Sequence, residues 1–226
     1  MPRRSLPSQV MTMSFTAPSA RQSDPEPPLG EEFAENAQWT RGEHSEPIAN
    51  SGLLILSDYL IDRTQTLAFP DGACAGFDCL ATKGAVIALV NVPGLENPLS
   101  VANTHLNSRR STHVVPERAD EVYAWQSAAV RDFVRTQVPE SEAIIFGGDF
   151  NAGPVPARRA AFENNTPLGE NQRDGLAFAT GNKLVLTFSR TAAVGTVYRN
   201  CDKIQYRSGR ETDILSRMAL VRFGNE

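Results

Sequence analysis

The stretch Ile144-Ile145-Phe146-Gly147-Gly148-Asp149-Phe150-Asn151 constrains this chain more than any other. An apolar run ends in two glycines, and an acid and an amide follow two positions apart. Successive side chains of an extended strand alternate faces, so Asp149 and Asn151 are expected to point the same way. Gly147 and Gly148 let the backbone turn sharply or let a ligand come close. A carboxylate and an amide at the mouth of a buried strand suit an oxygen-rich site for a divalent metal or a phosphate. The same residues also suit a strand end closed by an Asx turn. The segment by itself leaves both readings open.

The chain has 226 residues, enough for one sizeable domain with a true core. Hydrophobic residues make up 41%, as in a water-soluble globular protein, and no apolar run reaches the length of a membrane span. A net charge of -4 argues against a strongly basic nucleic-acid surface, although a local basic patch remains compatible with it. Three cysteines, Cys74, Cys79 and Cys201, allow one bridge and leave one thiol over. No second Cys or His pair stands at zinc-ligand spacing, so Cys74 and Cys79 read as small apolar loop residues. Met1-Pro2-Arg3-Arg4 is not followed by an apolar segment, so no secretory signal is expected and a cytoplasmic location is favoured.

Residues 1–50 are rich in Ser, Pro, Glu, Gln and Asn and read as a disordered or irregular segment, with Phe33, Trp39 and Ile48 as apolar anchors and a short helix near 30–37. Character changes at Ser51. Residues 52–56 read as a buried strand, 62–76 as a polar loop, and 85–92 and 99–106 as two strands of a hairpin with a long turn. Residues 116–137 carry Val122, Trp125, Ala129 and Phe133 at helical spacing, opened by Pro116 and followed by Pro139. The strand leading to Asp149 comes next. A short helix is expected at 158–164, a loop at 164–182, and strands at 196–198, 203–206 and 218–223. Several strands, hairpin-like turns and one strong helix imply an α/β layered sandwich of mixed or antiparallel sheets.

Three further constellations carry chemistry. Asn103 and His105 share one face of the strand 99–106, where an imidazole can orient or stabilise a phosphoryl oxygen. Arg109 and Arg110 follow and could grip phosphate bidentately, or lie in a solvated loop. Asp202 opens a β-type segment, where a carboxylate can hold a water or a histidine. Lys83-Gly84, ahead of the strand 85–92, reads as a turn with an exposed lysine.

Together these pieces resemble the endonuclease/exonuclease/phosphatase superfamily of metal-dependent phosphodiesterases, which includes deoxyribonucleases and neutral sphingomyelinases. Ser51 to Ser57, Lys83-Gly84-Ala85, Asn103-Thr104-His105-Leu106, Gly147 to Asn151 and Asp202-Lys203-Ile204 occur in that family's order. The resemblance implies a four-layer α/β/β/α sandwich over residues 51–226, with the site at one end. It implies that His105 contacts the scissile phosphate and that Asp149 orients or deprotonates the attacking water. Asn151 would hold phosphate or metal, and Asp202 would support the phosphate site. Asn103 and Arg109 would bind phosphate, and Asp149 and Asn151 would be the metal ligands. The expected ion is Mg2+ or Mn2+, since oxygen ligands and phosphate favour hard ions over zinc. The expected substrate is a phosphodiester: nucleic acid, a phospholipid head group or a small phosphoester.

Two departures from the family pattern stand out. The family begins with strands carrying an Asn and a metal-binding Glu, whereas Glu31, Glu32, Glu35, Glu43 and Glu46 all lack an apolar strand context. The family also ends in a Ser-Asp-His segment, which has no counterpart here; Asp213 and His113 stand in other contexts. The sandwich therefore reads as incomplete at both ends. The alternatives to an active hydrolase are a catalytically dead module that binds phosphate ligands or protein, and a truncated fragment.

Overall fold

The computed structural model describes residues 9–12, 28–43, 45–169, 171–174 and 202–215. The strands expected at 196–198 and 218–223, and Cys201, lie outside the described residues. The elements run β1 (Gln9–Thr12), α1 (Glu31–Glu35), β2 (Leu54–Ser57), β3 (Leu60–Ala68), β4 (Gly84–Asn91), β5 (Leu99–His105), α2 (Pro116–Gln137), β6 (Ile144–Asp149), α3 (Pro156–Asn164), β7 (Arg173–Asp174) and β8 (Asp202–Arg207). Six strands form one mixed sheet in the order β3-β4-β5-β6-β8-β7, and β1 and β2 form a second, two-stranded sheet. Among the described strands only β5 and β6 pair in parallel; α2 is the crossover between them.

The alternation of β4 shows how the layers form. Ala85 and Ile87 face the helices, in a core with Tyr123 and Val130 of α2, Phe146 of β6 and Phe162 of α3. Val86, Ala88 and Val90 face the other way, against Leu53 and Ile55 at β2. A strand covered on both faces carries apolar side chains at every position, which explains its unbroken run. Helix α2 spans the residues its periodicity predicts, and Pro116 opens it where no backbone donor is needed. The described layers are thus helix, main sheet and second sheet, a mixed α/β sandwich as expected. Among the described residues, no helix is long and apolar enough to cross a membrane.

Three expectations are corrected. The polar loop expected over 62–76 begins instead as the edge strand β3, antiparallel to β4 with a bulge between Ile61 and Arg63. Its solvent-facing Asp62 and Arg63 mask the strand in the sequence, and charges of this kind protect an exposed edge. Cys74 and Cys79 are not simple loop residues; they form a disulfide that encloses the 3-10 turn Gly76–Leu80. Of the three apolar anchors, Phe33 is buried against Val122, whereas Trp39 and Ile48 are exposed.

Candidate active site

Four strand ends meet at one end of the main sheet. β5 and β6 run parallel and finish there at His105 and Asp149, which are register partners. β4 and β8 run antiparallel to them and start there, β4 just after Lys83 and β8 at Asp202, the register partner of Asp149. A cleft of about 470 Å³ opens over this end, lined by Asn50, Ser51, Gly52, Asp78, Ala81, Lys83, His105, Ser108, Ser111, Asp149 and Asn151.

His105 Nε2 lies 3.7 Å from Asp149 Oδ2, and each side chain is about a third exposed (38% and 35%). These two atoms stand within ion-pair range for a protonated imidazole. Asp149 Oδ1 accepts a 2.9 Å hydrogen bond from the Asn151 backbone N–H, an Asx turn. The turn and the site read from the sequence are therefore one structure. Asn151 sits in the left-handed region at φ 48°, which Asn tolerates better than most residues. Its Nδ2 donates to the Leu106 carbonyl at 2.9 Å, so Oδ1 is what it offers the cleft.

Of the two glycines, Gly148 carries the steric demand. At φ 144° its backbone passes so near β5 that a Cβ would stand 2.1 Å from the Thr104 carbonyl oxygen. A Cβ on Gly147 would meet nothing closer than 3.8 Å. The glycine is needed for strand-to-strand approach at the site rather than for a turn.

Lys83 departs from its expected exposed turn: only 6% of the residue is exposed. Its Nζ pairs with Asp78 Oδ2 at 2.7 Å and donates to the Leu106 carbonyl at 3.0 Å. Burial pulls the Lys83 ammonium below the usual lysine range, and the carboxylates of Asp78 and Asp149 work against that shift. Asp78 also accepts from the Ser108 backbone N–H at 2.9 Å. Leu106, next to His105, thus has its carbonyl held by both Lys83 and Asn151. Asp78, Ser108 and Ser111 line the cleft with no sequence motif to mark them, and Lys83 is marked only as part of Lys83-Gly84-Ala85. One available signal was the lysine immediately before a strand that is apolar on both faces.

Other expected residues lie elsewhere. Asn103 Nδ2 donates to the Leu54 carbonyl at 3.3 Å, tying the main sheet to β2. Arg109 Nη2 pairs with Asp120 Oδ2 at 3.4 Å. Neither lines the cleft. Arg158 is buried beneath it, with Nε 2.6 Å from Asp120 Oδ1.

Asp149 and Asn151 present oxygen donors from a single turn, a set suited to Mg2+ or Mn2+ rather than zinc. Among the described residues no group of three or more His, Cys, Asp or Glu comes together. An ion held by this pair would draw its other ligands from water and substrate phosphate, as Mg2+ commonly does.

No protein-family model and no curated protein matches the chain. Solved structures do. A two-residue variant of beta toxin from Staphylococcus aureus, with bound magnesium ions, aligns at TM-score 0.53 and 20% identity over 78% of this chain and 63% of that one. A second beta toxin structure from the same organism aligns at 0.51 and 21% over 74% and 61%. A beta-hairpin deletion mutant of that toxin aligns at 0.50 and 18% over 81% and 70%. The chain spans about three-fifths of the length of the first two. With the strand order, the position of the cleft and these likenesses together, the chain has an endonuclease/exonuclease/phosphatase-like fold.

Proposed function

We propose that the chain is a metal-dependent phosphodiester or phosphomonoester hydrolase working at this cleft, within a domain over residues 51–226. The observation that carries the reading is the placement of His105 and Asp149 as register partners on adjacent parallel strands, with Asn151 one turn on, all lining one cleft. A protonated His105 donates to a phosphoryl oxygen and stabilises the charge that develops there. Asp149 accepts a proton from the water that attacks phosphorus as the bond to the leaving oxygen breaks. Asn151 Oδ1 supports the phosphate end, and Asp202 backs it from the neighbouring strand. The buried Lys83 ammonium adds positive charge at the floor. Asn103 and Arg109, the other expected phosphate ligands, lie outside the cleft and are engaged by the Leu54 carbonyl and Asp120, so neither is assigned a direct phosphate contact. Mg2+ or Mn2+ held by Asp149 and Asn151 would offset the charge on the phosphoryl and leaving oxygens.

The small hydroxyl lining of Ser51, Ser108 and Ser111 favours a small phosphoester or phospholipid head group over duplex nucleic acid, which needs cationic contacts. The cytoplasmic setting expected from the sequence stands against the Cys74–Cys79 disulfide, since such bridges persist in oxidising compartments. The test is hydrolysis of bis(4-nitrophenyl) phosphate with Mg2+. Asp149→Ala is expected to lose about 10²- to 10⁴-fold in kcat. Full activity in that variant would sink the assignment.

A second reading, a catalytically dead module for phosphate ligands, is favoured by one observation. Among the described residues, no group of three or more His, Cys, Asp or Glu is placed to hold a metal ion. Calorimetry separates the two: phosphate binding without Mg2+ binding supports the module.

A further inference from the structure

Among the described residues, Arg158 has the largest of the fully buried side chains, at 1% exposure. It belongs to α3 and does not line the cleft, yet it touches the segments that leave β5 and β6 beside His105 and Asp149. Its Nη1 donates to the carbonyl of Asn107 at 2.6 Å and to that of Asn151 at 3.2 Å. Its Nη2 donates to the carbonyl of Ala119 at 3.0 Å, and its Nε to Asp120 Oδ1 at 2.6 Å. The guanidinium carbon lies 4.7 Å from the centre of the Tyr123 ring.

Asn107 is two residues beyond His105, on the segment that leaves β5. Asn151 is two residues beyond Asp149, on the segment that leaves β6. Ala119 and Asp120 belong to the first turns of α2, which do not move relative to the main sheet without disturbing the core. One rigid, planar cation therefore clamps the two site-bearing segments to the helix behind them. Burying a guanidinium is costly unless its donors are satisfied. Here three carbonyls and a carboxylate satisfy it, in a fork that a lysine ammonium cannot reproduce.

We propose that Arg158 is a positioning residue of the hydrolase site: it holds the Asn151 backbone in its left-handed conformation and sets the spacing between His105 and Asp149. This rests on the reading of the cleft as a hydrolase site. With Asn151 fixed, its backbone N–H reaches Asp149 Oδ1 and its Nδ2 reaches the Leu106 carbonyl. Both bonds bear directly on the two residues that would meet the substrate. Loosening the clamp lets Asp149 rotate and Leu106 drift, with no loss of any group that contacts substrate.

The experiment uses the full chain with Mg2+ and bis(4-nitrophenyl) phosphate. Arg158→Lys and Arg158→Ala are expected to lower kcat about 10- to 100-fold with KM changed about twofold or less, since misplacement acts on the reacting geometry. Added methylguanidinium is expected to restore part of the Arg158→Ala loss, which a general packing defect would not allow. A folded Arg158→Lys with unchanged kcat, or with its whole defect in KM, overturns the proposal. If both variants fail to fold, Asp120→Asn, which weakens the Nε contact and the Arg109 pair but leaves the three carbonyl contacts, decides: a folded protein with unchanged kcat overturns it. Absence of turnover in the unmodified protein would count against the hydrolase reading alone. The clamp is then judged by hydrogen exchange of the Asn151 backbone amide. About tenfold faster exchange in Asp120→Asn supports it, and equal rates overturn it.

Discussion

Glu43 shows what a single residue does in this fold. Its carboxylate is buried and accepts from Arg118 Nε at 2.9 and 3.0 Å and from the Gly76 and Gln38 backbone amides at 2.8 and 2.6 Å. Arg118 in turn donates to the Phe33 carbonyl at 2.9 Å and stacks on the Phe33 ring. Burial by itself would raise the Glu43 carboxyl's pKa. The Arg118 hydrogen bond, with those from Gln38 and Gly76, outweighs it and holds the group below the usual range. A depressed folded pKa stabilises the protein above the ordinary glutamate pKa, and the gain is lost as pH falls through the folded value. Glu43→Gln is expected to cost about 3 kcal/mol at pH 7, because Arg118 loses its counter-charge. The gap between variant and parent should narrow in urea melts taken from pH 5 downwards. A gap that does not change with pH would refute the linkage. Gly148→Ala meets a harder limit, the Thr104 carbonyl, and is expected to cost about 3 kcal/mol or more. His105, Asp149 and Asn151 were legible in the sequence because strand alternation fixes their face. Glu43, Lys83, Asp78 and Arg158 were not. Whether a charge can be buried depends on a partner that the chain brings from far away: Arg118 for Glu43, Asp120 and three carbonyls for Arg158.

Among the elements, those with a strong period were visible and those with a mixed face were not. α2 declares itself through its apolar stripe, and β4, β5 and β6 through apolar runs whose partners are helices on one side. β3 was hidden because an edge strand carries charge, and the turn Gly76–Leu80 because five residues hold no period. That turn nevertheless presents Asp78 to Lys83 and Ser108. The bridge between Cys74 and Cys79, five residues apart, closes it. A loop that short gives about 2 kcal/mol by restricting the unfolded chain. Adding a reductant is therefore expected to lower the melting temperature by several degrees, and Cys74→Ser with Cys79→Ser should melt at that same reduced temperature whether or not reductant is present. A reductant-dependent shift in the double variant would place the effect elsewhere.

At the scale of the molecule, the two faces of the main sheet are unequally supported. Among the described residues, the helix side holds a cluster of sixteen buried residues from Phe69 to Leu168, whereas five make up the cluster under β2. Beyond β2, the outward side chains Leu54 and Leu56 are 43% and 61% exposed. Opening free energy follows buried apolar contact, so the β2 layer should separate from the sheet before the helix layer does. Phe146 stands in the larger cluster against Phe150 and is part of the global unit. Phe146→Ala is expected to cost about 3–5 kcal/mol and to speed exchange of every protected amide. Ile55, buried under β2, belongs to the smaller unit. Ile55→Ala is expected to speed exchange at β2, whose Leu54 carbonyl the Asn103 side chain reaches, while the backbone amides of β5 and β6 keep their protection. Native-state hydrogen exchange reads both variants directly. Uniform loss of protection in Ile55→Ala would mean that the two clusters open as one, and that the cleft residues His105 and Asp149 owe their placement to both layers rather than to the helix side alone.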